Sequence, residues 1–176
     1  FGLKEVAKEL KKYSKTYKYK DIDPKIMGVL NINNDSFFEN SRVNQNNILE
    51  AVYKMIEDGA DILDIGAVSS RPNSKPISED EELSRIKEII EMFYQNKIYE
   101  KIKLSLDSYS PKVIDFALNH GFKIINDITG LRHDEVARIV GKYDAEIVIM
   151  HMQGTPETMQ NNPEYQDVIK EIYYYF

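Results

Sequence analysis

One sentence is repeated five times along this chain: a short apolar run, a polar stretch, then an amphipathic helix. The runs are IMGVL at 26–30, ILDI at 62–65, KIKLSL at 101–106, FKII at 122–125 and EIVIM at 146–150. Runs this short, bounded by turn residues, suit buried strands. Between them the apolar residues take helical spacing. Ile48, Val52, Met55 and Ile56 mark one face, Leu83, Ile86, Ile90 and Phe93 a second, Val113, Ile114, Ala117 and Leu118 a third, and Val136, Ile139 and Val140 a fourth. After Pro163, the residues Tyr165, Val168, Ile169 and Ile172 predict a last helix. The punctuation agrees. Ser78 with Glu81 forms a capping box, Ser110 is placed to cap a helix whose first position is Pro111, and Gly59, Gly121 and Gly141 are placed to end helices.

A strand, a helical crossover and another strand force parallel pairing with right-handed connections. Two architectures satisfy that rule. Five units can form an open doubly wound sheet, or they can be the first five of a (β/α)₈ barrel. The barrel reading predicts strands in sequential order, with 26–30 beside 62–65. At about 30 residues per unit it places roughly 90 further residues beyond the C-terminus. The chain opens on Phe1 and stops inside the helical run EIYYYF, so both ends are expected to be cut. Before the first strand, Leu3, Val6, Ala7 and Leu10 predict a short helix, followed by the basic linker KKYSKTYKYK. The expected division is therefore 1–25 for helix and linker and 26–176 for the α/β unit.

Charge and composition narrow the function. The net charge of −6 over 176 residues opposes general nucleic-acid binding, which needs clustered Lys and Arg in excess, and the linker reads as a solvated segment. Cysteine is absent, which excludes disulfides, thiolate metal sites and thiol nucleophiles. The apolar runs fall far short of the roughly 20 residues that span a bilayer. The expectation is a cytoplasmic protein that binds neither membrane nor nucleic acid.

In parallel α/β folds the chemistry collects at the C-terminal ends of strands. Here the first strand runs into Asn31 and NNDSFFEN, and the second carries Asp64 and runs into Gly66 and SSRP. The third ends in Asp107, the fourth in Asn126 and Asp127, and the fifth in MHMQGTP. A single Asn or Asp after a strand is usually a turn former. Five in register point to one polar face suited to the edge of a heterocycle or to a hard cation. Arg71 adds a cationic fork for a carboxylate or diphosphate. No glycine-rich phosphate loop follows the first strand, no GxSxG elbow occurs, and His120, His133 and His151 are too scattered for a zinc site.

These segments resemble the dihydropteroate synthase family, within the wider pterin-binding group of (β/α)₈ barrels. MGVLN with DSF, DIG with SSRP, LSLDSYSPKVIDFAL, IINDITG, and HMQGTPETMQ with NPEYQDV follow the family order across about residues 26–172. The resemblance implies a TIM (β/α)₈ barrel, of which this chain holds about five units. It also implies an enzyme that joins (7,8-dihydropterin-6-yl)methyl diphosphate to p-aminobenzoate, giving 7,8-dihydropteroate and diphosphate. Asp107 and Asn126 would bind the pterin ring, with Asp107 the catalytic carboxylate, and Met150 would pack on the ring. Asn31 would help hold Mg²⁺ against the diphosphate. Asp35, Phe37, Ser70, Arg71 and Pro72 would build the p-aminobenzoate pocket, on loops expected to order only after Mg²⁺ and diphosphate bind. The longer protein could assemble as a homodimer.

Departures from the family pattern are Asn33 and Asn34 in the first loop, Ala67 and Val68 in the second, and Ser70, which keeps the usual hydroxyl. In the family a further pterin-binding Asp, a Lys and an Arg come from strands beyond this segment, so the segment alone is expected to be inactive. Two other readings stand beside this one. One is a methyltetrahydrofolate methyltransferase, which the DSF, SRP and HMQGTP segments disfavour; the other is a non-catalytic pterin-binding module.

Overall fold

The computed structural model describes residues 24–32, 41–66, 77–155 and 158–176, together with Lys8 and Lys12; at 41–46 only the backbone is described. The expected N-terminal helix, most of the basic linker, and the loop positions Asp35, Phe37, Ser70, Arg71 and Pro72 lie outside the described residues.

The repeated pattern folds as five parallel strands separated by helices. In chain order these are β1 (Met27–Asn31), α1 (Ser41–Glu57), β2 (Ile62–Gly66), α2 (Glu79–Gln95), β3 (Lys103–Asp107), α3 (Pro111–Asn119), β4 (Ile124–Asp127), α4 (Asp134–Lys142), β5 (Glu146–Ile149) and α5 (Val168–Tyr175), with a one-turn 3₁₀ segment at Ile98–Glu100 before β3. The strands lie in sequential order, β1-β2-β3-β4-β5, and every neighbouring pair is parallel. A doubly wound sheet reverses its strand order at a switch point, and this sheet does not. It is the five-unit arc of a (β/α)₈ barrel, with Met27 opposite Ile62 as the barrel reading predicts.

Alternation along each strand sorts the residues onto two faces. Leu63, Ile65, Leu104, Leu106 and Ile125 are wholly buried, and they pack with Val52, Ile86, Ile90, Phe93, Val113, Ile114, Ala117 and Val136 from the helices. Apart from the small Ala117, each such side chain contributes roughly 1.5 to 3 kcal/mol of transfer free energy. The opposite face, inward in a barrel, is built in rows set by the register. Val29, Asp64, Ser105, Ile124 and Glu146 are partnered in one row, and Asn31, Gly66, Asp107, Asn126 and Val148 form the next, toward the strands' C-terminal ends. At the two edge strands this face is open, with Val29 54% and Val148 46% exposed.

The helix signals act largely as expected. Ser78 accepts from the backbone N–H of Glu81 at 3.2 Å, whereas the Glu81 carboxylate pairs with Arg85 at 2.6 Å. Ser110 does occupy the cap position of α3, but its side chain makes no capping bond. The hydroxyl nearby that serves the backbone is Ser108, which accepts from the Ser110 N–H at 3.1 Å. Gly141 lies inside α4 rather than ending it, and the left-handed residue that follows is Asp144, at φ 50°. Tyr165 precedes α5, which Asp167 caps by accepting from the Lys170 N–H. Three strands start later than their apolar runs, β1 by one residue and β3 and β4 by two. Lys101 and Ile102 donate to the Ile98 carbonyl to close the 3₁₀ turn, and Phe122 donates to the Ala117 carbonyl to close α3.

Gly121 follows α3 at φ +90°, and a Cβ there would lie 2.8 Å from the Tyr99 ring. Both the backbone and the space exclude a side chain. Gly121→Ala is expected to lower folding stability by about 1 to 3 kcal/mol, read as a lower urea midpoint with an unchanged m-value. Among the described residues no helix is long and apolar enough to cross a membrane.

Candidate active site on the inner face of the sheet

Strand parity puts Asp64, Ser105, Asp107 and Asn126 on the same face of three adjacent strands. Asp64 and Ser105 are partners across β2 and β3, and Asp107 and Asn126 are partners across β3 and β4. Asp64 is 4% exposed and Ser105 fully buried, so their polar atoms need protein partners. They have them. The Ser105 Oγ donates to Asp64 Oδ1 at 2.5 Å, and the Asn126 Nδ2 donates to Asp64 Oδ2 at 3.2 Å.

Gly66 supplies the room for Asp107. A Cβ at Gly66 would sit 3.3 Å from both Cβ and Oδ2 of Asp107, so the Asp107 side chain lies over a glycine that only just accommodates it. Burial drives its carboxyl pKa from 3.8 up to about 7, with further contributions from the charges of Asp64, Glu82 and Asp127. Near neutral pH this group is divided between a carboxylate that accepts and an acid that can also donate. Such a perturbed carboxyl in a polar recess marks a functional candidate. Glu82, buried in the first turn of α2, is also raised, first by its own burial and with Ser108 bonding opposing that effect.

Asp127 has a different task from its neighbour Asn126. It is fully buried, its Oδ1 accepts from Thr129 N–H at 2.7 Å and Thr129 Oγ1 at 2.6 Å, and its Oδ2 accepts from Leu131 N–H at 2.9 Å. That is an Asx-type turn fixing the loop after β4. The turn-former explanation holds for Asp127 and does not hold for Asn126.

Of the residues singled out from sequence, Asp107 and Asn126 therefore stand side by side. Asn31 lies in the same row at the exposed end of β1, opposite the bare Gly66. Met150 follows β5 two positions beyond Val148, partly buried, with its N–H donating to the Asp127 carbonyl at 3.1 Å. Sequence reasoning marks Asp64 as a strand acid without giving it a role and misses Ser105 and Glu82. The signal for Ser105 is the alternation in KLSLD, which puts it on the same face as Asp107. A separate cleft of about 490 Å³ lies at the rim between the first turns of α2, α3 and α4, lined by Glu79, Glu82, Tyr109 and His133 among others. It contains neither Asp107 nor Asn126. Among the described residues no group of three or more His, Asp or Glu side chains is arranged to cage a metal ion.

A sequential parallel arc with a carboxylate–amide pair at its C-terminal ends defines part of a (β/α) barrel with a polar inner face. The chain belongs to the pterin binding enzyme family, which matches residues 27–176. Among curated proteins it is 39% identical over 176 residues to the bifunctional dihydropteroate synthase/dihydropteroate reductase of Helicobacter pylori, covering all of this chain and 46% of that protein. Among solved structures it is similar to the dihydropteroate synthase of Yersinia pestis in complex with a sulfonamide drug, at TM-score 0.74 and 34% identity over 87% of this chain and 55% of that one. It is also similar to the Burkholderia cenocepacia dihydropteroate synthase complexed with 7,8-dihydropteroate, at TM-score 0.66 and 35% identity over 86% of this chain and 50% of that one. The chain spans about half the length of these relatives.

Proposed function

We propose that this segment is the pterin-binding part of a dihydropteroate synthase, which condenses (7,8-dihydropterin-6-yl)methyl diphosphate with p-aminobenzoate. The observation that carries the reading is the Asp107–Asn126 pair, backed by Asp64 and set on the inner face beside Gly66. The methyltransferase and non-catalytic alternatives have no such support, because these relatives are all dihydropteroate synthases. The complex with the product 7,8-dihydropteroate in one relative supports the same reaction, and the sulfonamide complex in another supports sulfonamide sensitivity, for this protein.

The reaction forms a bond from the arylamine nitrogen to the pterin methylene carbon and breaks the carbon–oxygen bond to diphosphate. The amine then loses a proton. No side-chain nucleophile is needed, which accords with a cysteine-free chain. Asp107 would accept from ring N–H groups and stabilise positive charge that grows on the pterin as diphosphate leaves. Asn126 would hold the same ring edge, and Met150 would pack on its face. Asp35, Phe37, Ser70 and Arg71 would serve p-aminobenzoate.

The donor set suits Mg²⁺ held mainly by water and phosphate. Asn31 offers one amide oxygen at an open strand end, and Mg²⁺ sites at phosphates commonly use only one or two protein oxygens. When bound, the ion would stabilise the departing diphosphate. A cytoplasmic location and a homodimer of the longer protein belong to the same reading.

The test is diphosphate release by the full-length protein with Mg²⁺. Release is expected only when the pterin diphosphate and p-aminobenzoate are both present, and a sulfonamide should suppress it. Release that ignores p-aminobenzoate, or no release from folded protein, contradicts the proposal.

A further inference from the structure

We propose that Asp64 is a positioning residue: it holds the amide of Asn126 with its nitrogen inward, so that the carbonyl oxygen is the atom presented to the bound pterin. This rests on the reading just given and assigns a role one row deeper than the ligand.

The two oxygens of Asp64 are divided between two partners, Oδ1 to the Ser105 hydroxyl and Oδ2 to the Asn126 Nδ2. A carboxylate offers only acceptors, so an amide beside it must turn its N–H₂ group inward. An asparagine without such a neighbour can present either end, and its hydrogen-bond partners decide which. Ser105, fully buried, occupies the remaining oxygen and fixes the carboxylate plane. Gly66, the next residue of β2 on this face, carries no side chain, and the space is taken by Asp107, whose Cβ and Oδ2 would lie 3.3 Å from a Cβ there. Asp64 sits 4% exposed below this layer and does not meet the ligand itself. What it controls is the sign of the contact that Asn126 makes.

The consequence is specificity for a heterocycle that brings a donor to this position. Pterin carries a 2-amino group, a donor; lumazine, the 2-oxo pteridine, carries an acceptor there. A wrongly presented end leaves two like groups facing each other in a water-poor site, which commonly costs tenfold or more in affinity.

The experiment measures Kd for pterin and for lumazine on the full-length protein and on two variants. Asp64→Asn gives Asn126 a partner that can donate or accept, so its orientation is no longer fixed. The preference for pterin over lumazine is expected to fall about tenfold or more. Adding Asn126→Asp to that variant exchanges the two groups, so the amide now lies inside and a carboxylate oxygen again faces the ligand. The preference should return. A packing defect at position 64 would weaken both ligands alike and would not be repaired by the exchange.

Unchanged preference in Asp64→Asn, or no recovery in the exchanged pair, overturns the positioning role. If Asp64→Asn fails to fold, the side-chain amide of Asn126 is followed by NMR in the unsubstituted protein. One proton protected from exchange supports the bond to Asp64, and two freely exchanging protons overturn it. Failure of the parent reading looks different, because the unsubstituted protein would then bind neither pteridine and the positioning role would fall with it.

Discussion

Asp107→Asn is expected to make the protein more stable at pH 8 while depriving it of ligand binding. The Asp107 carboxyl is held near 7 in the folded chain against an ordinary value of 3.8, first by burial and then by the charges of Asp64, Glu82 and Asp127. Between those two values the folded state keeps a proton that the unfolded chain releases. Stability attributable to this group therefore falls as pH rises from about 4 to about 7, and stays low above that. Because a tenfold change in proton affinity is worth about 1.4 kcal/mol, the burden above pH 7 is on the order of 2 to 4 kcal/mol once partial exposure of the side chain is allowed for. Asparagine keeps the shape and cannot ionise. Urea unfolding at pH 5 and pH 8 should show a marked loss for the unsubstituted protein and a much smaller one for the variant. A shallow slope should persist, because Glu82 is raised in the same direction. Equal slopes in the two proteins would place the burden on another group.

The second large effect is on binding in the full-length protein. Asp107→Ala and Asn126→Ala are each expected to abolish useful binding of the pterin diphosphate, because the ring edge would lose a partner inside a largely closed recess. Leaving a buried donor or acceptor without a partner costs about 1 to 3 kcal/mol, and more where a carboxylate is removed. The affinity of the unsubstituted protein should also depend on pH. A ring N–H donating to Asp107 favours its charged form, so binding below pH 7 must expel a proton, and affinity should fall up to about tenfold per pH unit there. Calorimetry showing normal affinity in both alanine variants would refute the assignment of these residues.

How far the sequence carries these conclusions differs from link to link. The order of elements is legible because period-two and period-3.6 patterns alternate without interruption, and parallel pairing follows from that alternation alone. Open sheet and barrel cannot be told apart that way, since both need the same pattern; the unbroken order β1-β2-β3-β4-β5, with no switch point, decides it. Helix starts with a named side chain are legible at Ser78, but at Ser110 the cap position is correct and the bond is not there. Ends marked by glycine are legible where a left-handed residue is required, as at Gly121, and fail at Gly141, which is an ordinary helical residue.

The site shows the same division. Parity reveals that Asp64, Ser105, Asp107 and Asn126 share a face, but it cannot say that Asn126 reaches past β3 to Asp64, a contact between residues 62 apart. Nor can it separate Asp127 from Asn126. Adjacent in sequence, they point to opposite faces, and only the three bonds from Thr129 and Leu131 identify Asp127 as a turn residue. The raised pKa of Asp107 depends on burial and on three other carboxylates, of which strand parity places only Asp64 on its face.

If the inner face holds the pterin, with Asp107 and Asn126 on its edge, a crystal structure of the full-length protein with a bound pterin will show it. A ring nitrogen is expected within hydrogen-bond distance of Asp107 and the 2-amino group within that distance of Asn126 Oδ1, with Asp64 still bonded to Asn126 Nδ2. A pterin lodged instead in the rim cleft between Tyr109, His133 and Glu82, with the inner-face pair untouched, would contradict the assignment.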